Sequence, residues 1–350
     1  MKIVQSLLFL LTFSSIGFTV NSCSETETNS IELDMHELTL EVGESATLTV
    51  VNAPDIDDPV EWSSSDNSVA SVFFGKVTAL SSGEATIVVQ MGEFADSCVV
   101  TIPEREYTLV WAEEFDGTSL NTDIWNIEVN GRGGGNNEAQ YYTDRSENIR
   151  VADGLLTIEA RKEEYLGKSY TSGRINTKNN KHFAYGKVEA RLKVPKGVGT
   201  WPAFWMLGYG SWPGCGEIDI MEHVGYQPKT FHCALHTLNR NGMNGQNEHA
   251  QQTLDQDVAN DFHVITMEWV ENEIQGYDRM HFYVDGLKTA SFSETKQLQE
   301  SGDWPFNDDF FFIVNLAIGG TWGGSQGIDD SMFDNPVLYQ VDYIRVYQLQ

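Results

Sequence analysis

Short segments of β-forming residues run along almost the whole chain, and none alternates with a convincing helical segment of ten or more residues. The clearest examples are LLTIEAR at 155–161, GKVEARLKV at 186–194, FHVITMEWV at 262–270 and FFIVNLAIGG at 311–320. They are rich in β-branched or aromatic residues and bounded by turn-forming residues. Without alternating helices an α/β fold is disfavoured. The sequence therefore predicts an all-β protein, in which residues 107–350 form a β-jelly-roll sandwich of two packed antiparallel sheets.

Residues 31–103 are predicted to form a separate, small β-sandwich. Segments such as TLTVV, GEATIVVQ and SCVVTI are short and are separated by turn residues at the spacing of a sandwich. The run EWSSSDNSVASV, followed by GKVTALSSGEATI, resembles bacterial Ig-like domains of the second group. We expect a spacer role for this domain, with glycan binding as the alternative. The predicted boundary is IPERE, at 102–106.

The first 22 residues have the features of a secretory signal peptide. Lys2 precedes an uncharged apolar run that extends to Val20, too short for a spanning helix, and small residues lie before Cys23. The VNSC ending resembles a bacterial lipobox, in which Cys23 would become the lipidated first residue, followed by an acidic tether to residue 30. The resemblance implies an outer-membrane lipoprotein at the cell surface; a secreted or periplasmic protein is the alternative.

The formal net charge of −29 narrows the range of partners. Binding to nucleic acid depends on Lys and Arg, and the chain has 22 of these against 51 Asp and Glu, so no nucleic-acid partner is expected. The charge also disfavours polyanionic glycans. We expect a monomer. The hairpin register expected after Glu222 places Cys215 too far from Cys233 for a disulfide.

The segment GEIDIMEH, at 216–223, places three acids in an apolar run. A regular strand would put Glu217 and Asp219 on one face and Glu222 on the other. One extra residue, inserted as a β-bulge near Met221, would return Glu222 to the face of the other two. Two carboxyl groups across an anomeric carbon are what glycoside hydrolysis requires: one attacks, and the other protonates the leaving oxygen. A half-buried edge strand with a solvated acidic face is the structural alternative.

Aromatic residues near these acids indicate a sugar-binding surface. The segment TWPAFW would place Trp201, Ala203 and Trp205 on one strand face, just before the acids, and GGTWGG would project Trp322 from a glycine-rich loop. Pyranose rings present C–H faces that pack on flat apolar surfaces. For each tryptophan alone, packing in a core is the alternative. Together with the acids, they favour a carbohydrate cleft.

GEIDIMEH and its surroundings closely resemble glycoside hydrolase family 16, the laminarinase-like endo-β-glucanases. The matching blocks are SGRINTKNNKHFAYGKVEARLKVPKGVGTWPAFWMLG before it and NLAIGGTWGG and VDYIRVYQ after it, within residues 108–348. The resemblance implies a β-jelly-roll and a retaining mechanism. It also implies that Glu217 is the nucleophile, Glu222 the acid/base and Asp219 the assisting acid.

By the same resemblance, seven residues would bind the substrate: Asn136, Glu138, Arg174, Trp201, Trp205, His236 and Trp322. Two of them have clear structural alternatives, since Arg174 could pair with a surface acid and Glu138 could brace the cleft wall. No cofactor is expected for catalysis. Many relatives hold a structural calcium ion distant from the cleft, and the resemblance implies three ligands for it here: Glu114, Gly154 and Asp342.

The sequence thus predicts a retaining endo-β-glucanase that hydrolyses internal bonds of β-1,3-glucan (laminarin), mixed-linkage β-1,3/1,4-glucan or both. A non-catalytic surface glycan-binding protein is disfavoured because all three acids are present. A transglycosylase remains an alternative, since it differs only in whether water or a sugar hydroxyl intercepts the covalent intermediate. So does a glycanase for another polysaccharide, because subsite loops decide among substrates.

The lipobox resemblance predicts how Cys23 acts. Cys23→Ala removes the only thiol that could be lipidated at this position, so we expect the mature protein to move from the membrane fraction to the soluble fraction. Ser24→Ala is the matched control and should stay with membranes. Fractionation of a native-like host measures both; an unchanged distribution of Cys23→Ala would show that the lipobox interpretation is wrong.

Overall fold

The protein is an all-β molecule, as its sequence predicts. Its structure is a computed structural model that describes residues 30–274 and 276–349. Strands dominate these residues, and the single α-helix among them, α1 (Lys296–Ser301), is short. None of the described helices is long and apolar enough to cross a membrane.

The N-terminal domain is a small β-sandwich. Its strands are β1 (Glu32–Leu33), β2 (Glu37–Thr39), β3 (Ser45–Thr47), β4 (Val50–Asn52), β5 (Val60–Ser64), β6 (Ala70–Phe73), β7 (Lys76–Ala79), β8 (Gly83–Met91) and β9 (Phe94–Ile102). Its two larger sheets have the orders β2-β9-β8-β5 and β3-β7-β6, and β1 pairs with β4 in a third, two-stranded sheet. Buried residues from both sheets, such as Ile87, Val100 and Val77, form one core. The predicted Ig-like sandwich is confirmed.

The second domain contains the remaining strands. They are β10 (Tyr107–Glu113), β11 (Asn126–Ile127), β12 (Gln140–Tyr142), β13 (Ile149–Ala152), β14 (Leu155–Tyr165), β15 (Lys168–Ser172), β16 (Arg174–Asn176), β17 (Gly186–Lys193), β18 (Thr200–Gly208), β19 (Glu217–Glu222), β20 (Thr230–His236), β21 (Glu248–Thr253), β22 (His263–Ile274), β23 (Tyr277–Val284), β24 (Leu287–Ser293), β25 (Phe310–Ile318) and β26 (Val337–Leu349). Short 3-10 segments lie at Gly133–Gly135 and Asp330–Asp334.

These strands form two large sheets in the described part of the chain. One has the order β12-β15-β14-β26-β17-β22-β23-β24, with β10 added to β26 and β13 to β14. The other has the order β11-β16-β25-β18-β19-β20-β21. Buried residues of both sheets form a single apolar core. The predicted jelly-roll sandwich of two packed sheets is confirmed.

The burial pattern of β25 shows which face of the seven-stranded sheet is available for function. Phe312, Val314 and Leu316 point into the core between the sheets. Asn315 and Ala317 point to the opposite face, where they line a cavity. Because that face of the sheet is covered only in part, the strands from β16 to β21 can present side chains to a ligand there.

The segment between the two domains is bound to the second domain. The guanidinium of Arg105 donates a hydrogen bond to Glu273 on β22, whose side chain is only 2% exposed. His281 on β23 also bonds this carboxylate, at 2.8 Å. On the Ig-like side, a side chain at Gly43 would overlap the backbone carbonyl of Glu273. A boundary drawn at residue 107 therefore omits Arg105, which contributes to the packing of the second domain.

We predict that the stability of the isolated second domain depends on where it begins. A truncated protein that starts at Pro103 keeps Arg105, whereas one that starts at Glu106 leaves the buried Glu273 with one partner fewer. The shorter protein should lose about 1–3 kcal/mol of unfolding free energy. Chemical denaturation of both proteins measures the difference, and equal stabilities would show that the Arg105 pair contributes nothing.

The pH dependence of this difference has a definite sign. Burial alone would raise the pKa of Glu273, but His281 and Arg105 hold it low, at about 2. A carboxyl whose pKa is lowered by folding contributes stability above its ordinary pKa of 4.5 and loses it as pH falls towards 2. The gap between the two truncated proteins should therefore shrink as the pH is lowered through this range.

Candidate active site

A β-bulge in β19 brings the three acids to one face of the sheet. On β18, Phe204 pairs with Met221 but the next residue, Trp205, pairs with Asp219, so Ile220 is the extra residue. The register against β20 shifts between Asp219 and Glu222 as well. The predicted bulge near Met221 is confirmed, and its consequence is that Glu222 faces the same cavity as the other two acids.

The acids lie in the floor of a cavity of about 910 Å³, which we call the cleft. Glu217, Asp219 and His236 converge there: a carboxylate oxygen of each acid and a ring nitrogen of His236 lie within 4.8 Å of one another. Glu217 pairs with His236 across β19 and β20, and Asp219 pairs with Ala234. Because directly paired residues share a face of the sheet, this register places His236 beside the acids.

Each glutamate accepts a hydrogen bond from a different tryptophan. Trp212 Nε1 donates to Glu217 Oε2 at 2.9 Å, and Trp201 Nε1 donates to Glu222 Oε1 at 2.9 Å. His236 lies between the acids. Its Nδ1 accepts from the backbone N–H of Gly242 at 2.9 Å, so in the neutral ring Nε2 carries the hydrogen.

Nε2 of His236 is the nitrogen that faces the acids. It lies 2.9 Å from Asp219 Oδ2 and 3.7 Å from Glu217 Oε1. The Asp219 contact is short, but its angle is poor, so Oδ2 of Asp219 accepts no well-formed hydrogen bond. Asp219 is thus the least well solvated of the three acids, with 4% of its surface exposed.

Burial is the main cause of the raised pKa values of the three acids in this site. It raises the pKa values of Glu217, Asp219 and Glu222, each to about 8, and the charge of Asp219 raises those of the two glutamates further. Because like charges oppose simultaneous ionisation, the acids cannot all be charged at neutral pH. His236 lies within 4 Å of Glu217. Its charge lowers the pKa values of both glutamates, and one indole hydrogen bond to each glutamate acts in the same direction, so the division of roles between Glu217 and Glu222 stays a prediction.

All seven residues predicted to bind substrate lie in the walls of the cleft: Asn136, Glu138, Arg174, Trp201, Trp205, His236 and Trp322. Two of them, Arg174 and Glu138, also make the contacts expected of a structural role. Arg174 pairs with Glu128 at 3.0 Å, and its guanidinium lies 5.0 Å from the ring centre of Trp205. Glu138 is buried and accepts hydrogen bonds from Gln140 and Tyr142, at 2.6 and 3.0 Å. Their roles in binding stay predictions.

Several residues that line the cleft were not predicted from the sequence, and three of them have polar side chains close to the predicted site residues. Asn315 accepts a hydrogen bond from Trp205 Nε1 at 2.7 Å, and Trp212 and His249 line the same cavity. A signal existed for Asn315, because it is the only polar residue in the strand FFFIVNLAI. Trp212 precedes the acids by five residues, but nothing local indicates that its indole turns back to Glu217.

The three residues implied as calcium ligands come together at one junction of the larger sheet. β10 and β14 pair with successive parts of the same edge of β26, so Glu114 and Gly154 both approach the strand near Asp342. The Asp342 carboxylate accepts a hydrogen bond from Arg191, and that of Glu114 pairs with Arg345. Backbone oxygens and a carboxylate suit calcium, but both carboxylates already have partners, and the calcium site stays a prediction.

An all-β sandwich with a long polar and aromatic cleft, floored by a pair of glutamates and an assisting aspartate, defines the class of the protein as a glycoside hydrolase. Comparison with known families agrees. Residues 136–345 match the model of glycosyl hydrolases family 16, and residues 27–102 match the bacterial Ig-like domain, group 2. The chain belongs to glycoside hydrolase family 16, with an Ig-like domain before it.

Known proteins support the assignment over most of the second domain. The β-glucanase of Rhodothermus marinus is 42% identical over 253 residues, which cover 69% of this chain and 85% of that protein. The glucan endo-1,3-β-glucosidase of Cryptopygus antarcticus is 35% identical over 252 residues, 68% and 91% of the two chains. The X-ray structure of the Rhodothermus marinus laminarinase superposes with a TM-score of 0.64 at 40% identity, over 70% of this chain and 99% of that one.

We predict that Trp212 sets the acidic limb of the pH–activity profile. Trp212→Phe removes the hydrogen bond that stabilises the Glu217 anion, so the pKa of Glu217 should rise further. If Glu217 is the nucleophile, the reaction needs its ionised form, so the acidic limb should move to higher pH and kcat/KM on that limb should fall about three- to tenfold. A profile of kcat/KM against pH measures the shift.

Trp201→Phe is the matched comparison, because it removes the equivalent bond to Glu222. The pKa of Glu222 should rise, so this residue keeps its proton to higher pH and the alkaline limb should move upwards instead. If the two variants shift the same limb, the division of roles between Glu217 and Glu222 is wrong.

Proposed function

We propose that this protein is a retaining endo-β-glucanase that cleaves internal bonds of β-1,3-glucan, mixed-linkage β-1,3/1,4-glucan or both. The observation that carries the proposal is the bulged strand β19, which presents Glu217, Asp219 and Glu222 together in the floor of an open cleft. An open cleft can hold a chain that extends in both directions, as cleavage of internal bonds requires. The relatives named β-glucanase, glucan endo-1,3-β-glucosidase and laminarinase support the choice of β-glucan.

In the first step the glycosidic bond is replaced by an ester bond between the sugar and Glu217. Ionised Glu217 attacks the anomeric carbon, and the glycosidic C–O bond breaks as Glu222 donates its proton to the leaving oxygen. The product is a glycosyl-enzyme ester on Glu217 and a shortened glucan with a free hydroxyl. Once Glu222 has given up its proton it is an anion beside Asp219. If Asp219 stays protonated, the repulsion between two neighbouring anions is avoided.

In the second step water completes the reaction. Glu222, now ionised, takes a proton from a water molecule that attacks the same anomeric carbon from the opposite side. The ester bond breaks, Glu217 leaves as a carboxylate and Glu222 regains its proton. Two inversions at one carbon give a product with the original β configuration, and the site returns to its starting state.

The charges of the cleft favour a neutral glucan over a sulfated galactan. Among the described residues that line it, Arg174 is the sole lysine or arginine, and Glu128 already pairs with it. A chain of sulfate groups would meet the carboxyl groups of Glu138, Glu217 and Glu222 instead. The cleft is therefore better suited to a polysaccharide that presents hydroxyl groups and apolar ring faces.

We also propose that the Ig-like domain separates the catalytic domain from a membrane to which Cys23 is anchored. Cys23 lies outside the described residues, so the lipobox pattern VNSC in the sequence supports this proposal. The family match of residues 27–102 supports a modular domain next to the anchor. A surface location would place the cleft where extracellular polysaccharides can reach it.

Rescue by a small anion tests the proposed nucleophile. Glu217→Ala should lower turnover of polysaccharide on the order of a thousandfold and leave space for azide beside the anomeric carbon. On a β-glucosyl fluoride, added azide should restore turnover and yield the α-glycosyl azide, since only one inversion occurs. Analysis of the product by NMR gives the configuration.

Glu222→Ala is the matched variant, because its nucleophile is intact. Azide should then intercept the glycosyl-enzyme and yield the β-glycosyl azide, while Asp219→Asn should be slowed less than either glutamate variant. If Glu217→Ala gives the β azide, or neither glutamate variant is rescued, the two-step mechanism on these residues is incorrect.

A further inference from the structure

Two histidines form a hydrogen-bonded pair in the wall of the cleft. His232 on β20 and His249 on β21 are joined through Nδ1 of the first and Nε2 of the second, at 3.0 Å. The ring centres are 5.2 Å apart and the ring planes differ by 22°, which places the bond close to the plane of both rings. His232 is buried, with 4% of its surface exposed, whereas His249 is exposed and lines the cleft.

Gln227 fixes the direction of the hydrogen bonds. Its Oε1 lies 2.7 Å from His232 Nε2, and because an amide oxygen accepts, His232 Nε2 must carry the hydrogen. Burial lowers the pKa of His232 to about 3, so the ring is neutral and its Nδ1 is an acceptor. His249 must therefore donate from Nε2. The remaining nitrogen of His249, Nδ1, is then an acceptor, and it has no hydrogen-bond partner among the described residues.

The pair is connected to the catalytic acids through the aromatic wall. The ring of Trp322 lies edge-to-face with His232, at 4.9 Å, and with Trp201, at 5.5 Å. Trp201 in turn donates its indole hydrogen to Glu222. His249 therefore belongs to the same aromatic wall as the tryptophan that contacts Glu222, and a sugar bound near the acids would lie against that wall.

We propose that His249 Nδ1 accepts a hydrogen bond from a hydroxyl group of a glucosyl residue in the cleft, with His232 and Gln227 as positioning residues that fix its tautomer. The inference rests on the proposed β-glucanase function and adds a substrate-recognition group to it. Every glucosyl residue offers hydroxyl donors. A single acceptor, held in one orientation, favours a ring whose hydroxyl points at it and disfavours a ring turned by a different linkage.

Two substitutions separate this role from a structural one. Glutamine places an amide nitrogen near the position of Nε2, so His249→Gln keeps the bond to His232 and loses the acceptor in the cleft. Asparagine places a polar atom near the position of Nδ1, so His249→Asn keeps the acceptor and loses the bond to His232. Gln227→Met removes the group that fixes the tautomer without touching the cleft.

We expect His249→Gln to raise KM for β-1,3-glucan oligosaccharides about five- to tenfold, with kcat within about twofold of the parent protein. His249→Asn should raise KM less than about threefold, and Gln227→Met should fall between the two. Gln251→Ala is the control, because Gln251 is exposed on the same strand and lies outside the cleft. It should leave both constants unchanged, and the melting temperature of His249→Gln should match that of the parent.

Binding measurements keep this test independent of the proposed reaction. The same substitutions are placed in a Glu217→Gln background, and the Kd for a β-1,3-glucan hexasaccharide is measured by calorimetry. If the full-length parent fails to cleave but His249→Gln still weakens binding, the recognition role stands and the proposed hydrolysis is wrong. If the parent cleaves and His249→Gln binds as the parent does, or His249→Asn weakens binding at least as strongly as His249→Gln, the role assigned to Nδ1 is overturned.

Discussion

The active site of this protein depends on one extra residue in strand β19. Without the bulge at Ile220, the alternation of side chains would turn Glu222 into the core and leave Glu217 and Asp219 without an acid partner in the cleft. The bulge also sets which residues of β18 and β20 lie beside each acid. Trp201 donates to Glu222 because both lie at the bulged end of this register, where β18 begins and β19 ends. The chemistry thus follows from the strand pairing.

Burial of the three acids away from water has two effects: it makes their ionisation less favourable, and it produces the shifted pKa values that the chemistry needs. Burial raises the pKa values of all of them, which disfavours charge at neutral pH. The protein answers with single donors: one indole on each glutamate, and the imidazole of His236, whose Nε2 lies 2.9 Å from Asp219 and 3.7 Å from Glu217. Because the raised pKa values keep the three acids from all being charged at once, protonated and ionised carboxyl groups can coexist in the cleft, as the proposed nucleophile and proton donor require.

The walls of the cleft extend this arrangement away from the acids. Trp322 joins Trp201, which contacts Glu222, to the histidine pair on β20 and β21, so one continuous wall runs across four strands of the sheet. The buried His232 and the half-buried Gln227 lie outside the lining of the cleft, yet their hydrogen bonds set the tautomer of His249. If His249 binds the glucan as proposed, recognition depends on polar groups behind the cleft surface as well as on the groups that touch the sugar.

From the amino-acid sequence alone, the all-β fold and the two domains were predictable, because residue alternation and turn residues are local properties. The sequence only proposed a bulge that would turn Glu222 to the cleft, and the pairing of β19 with β18 and β20 decided that point. It did not determine that Trp212 turns to Glu217, that Asn315 holds Trp205, or that Arg105 belongs with the catalytic domain. Most of these contacts join residues far apart in the chain, and Trp212 reaches its partner through an irregular turn. Only the register of the strands, the sheet twist and the loop paths bring such side chains within hydrogen-bonding distance, and those are set by packing of the whole sandwich.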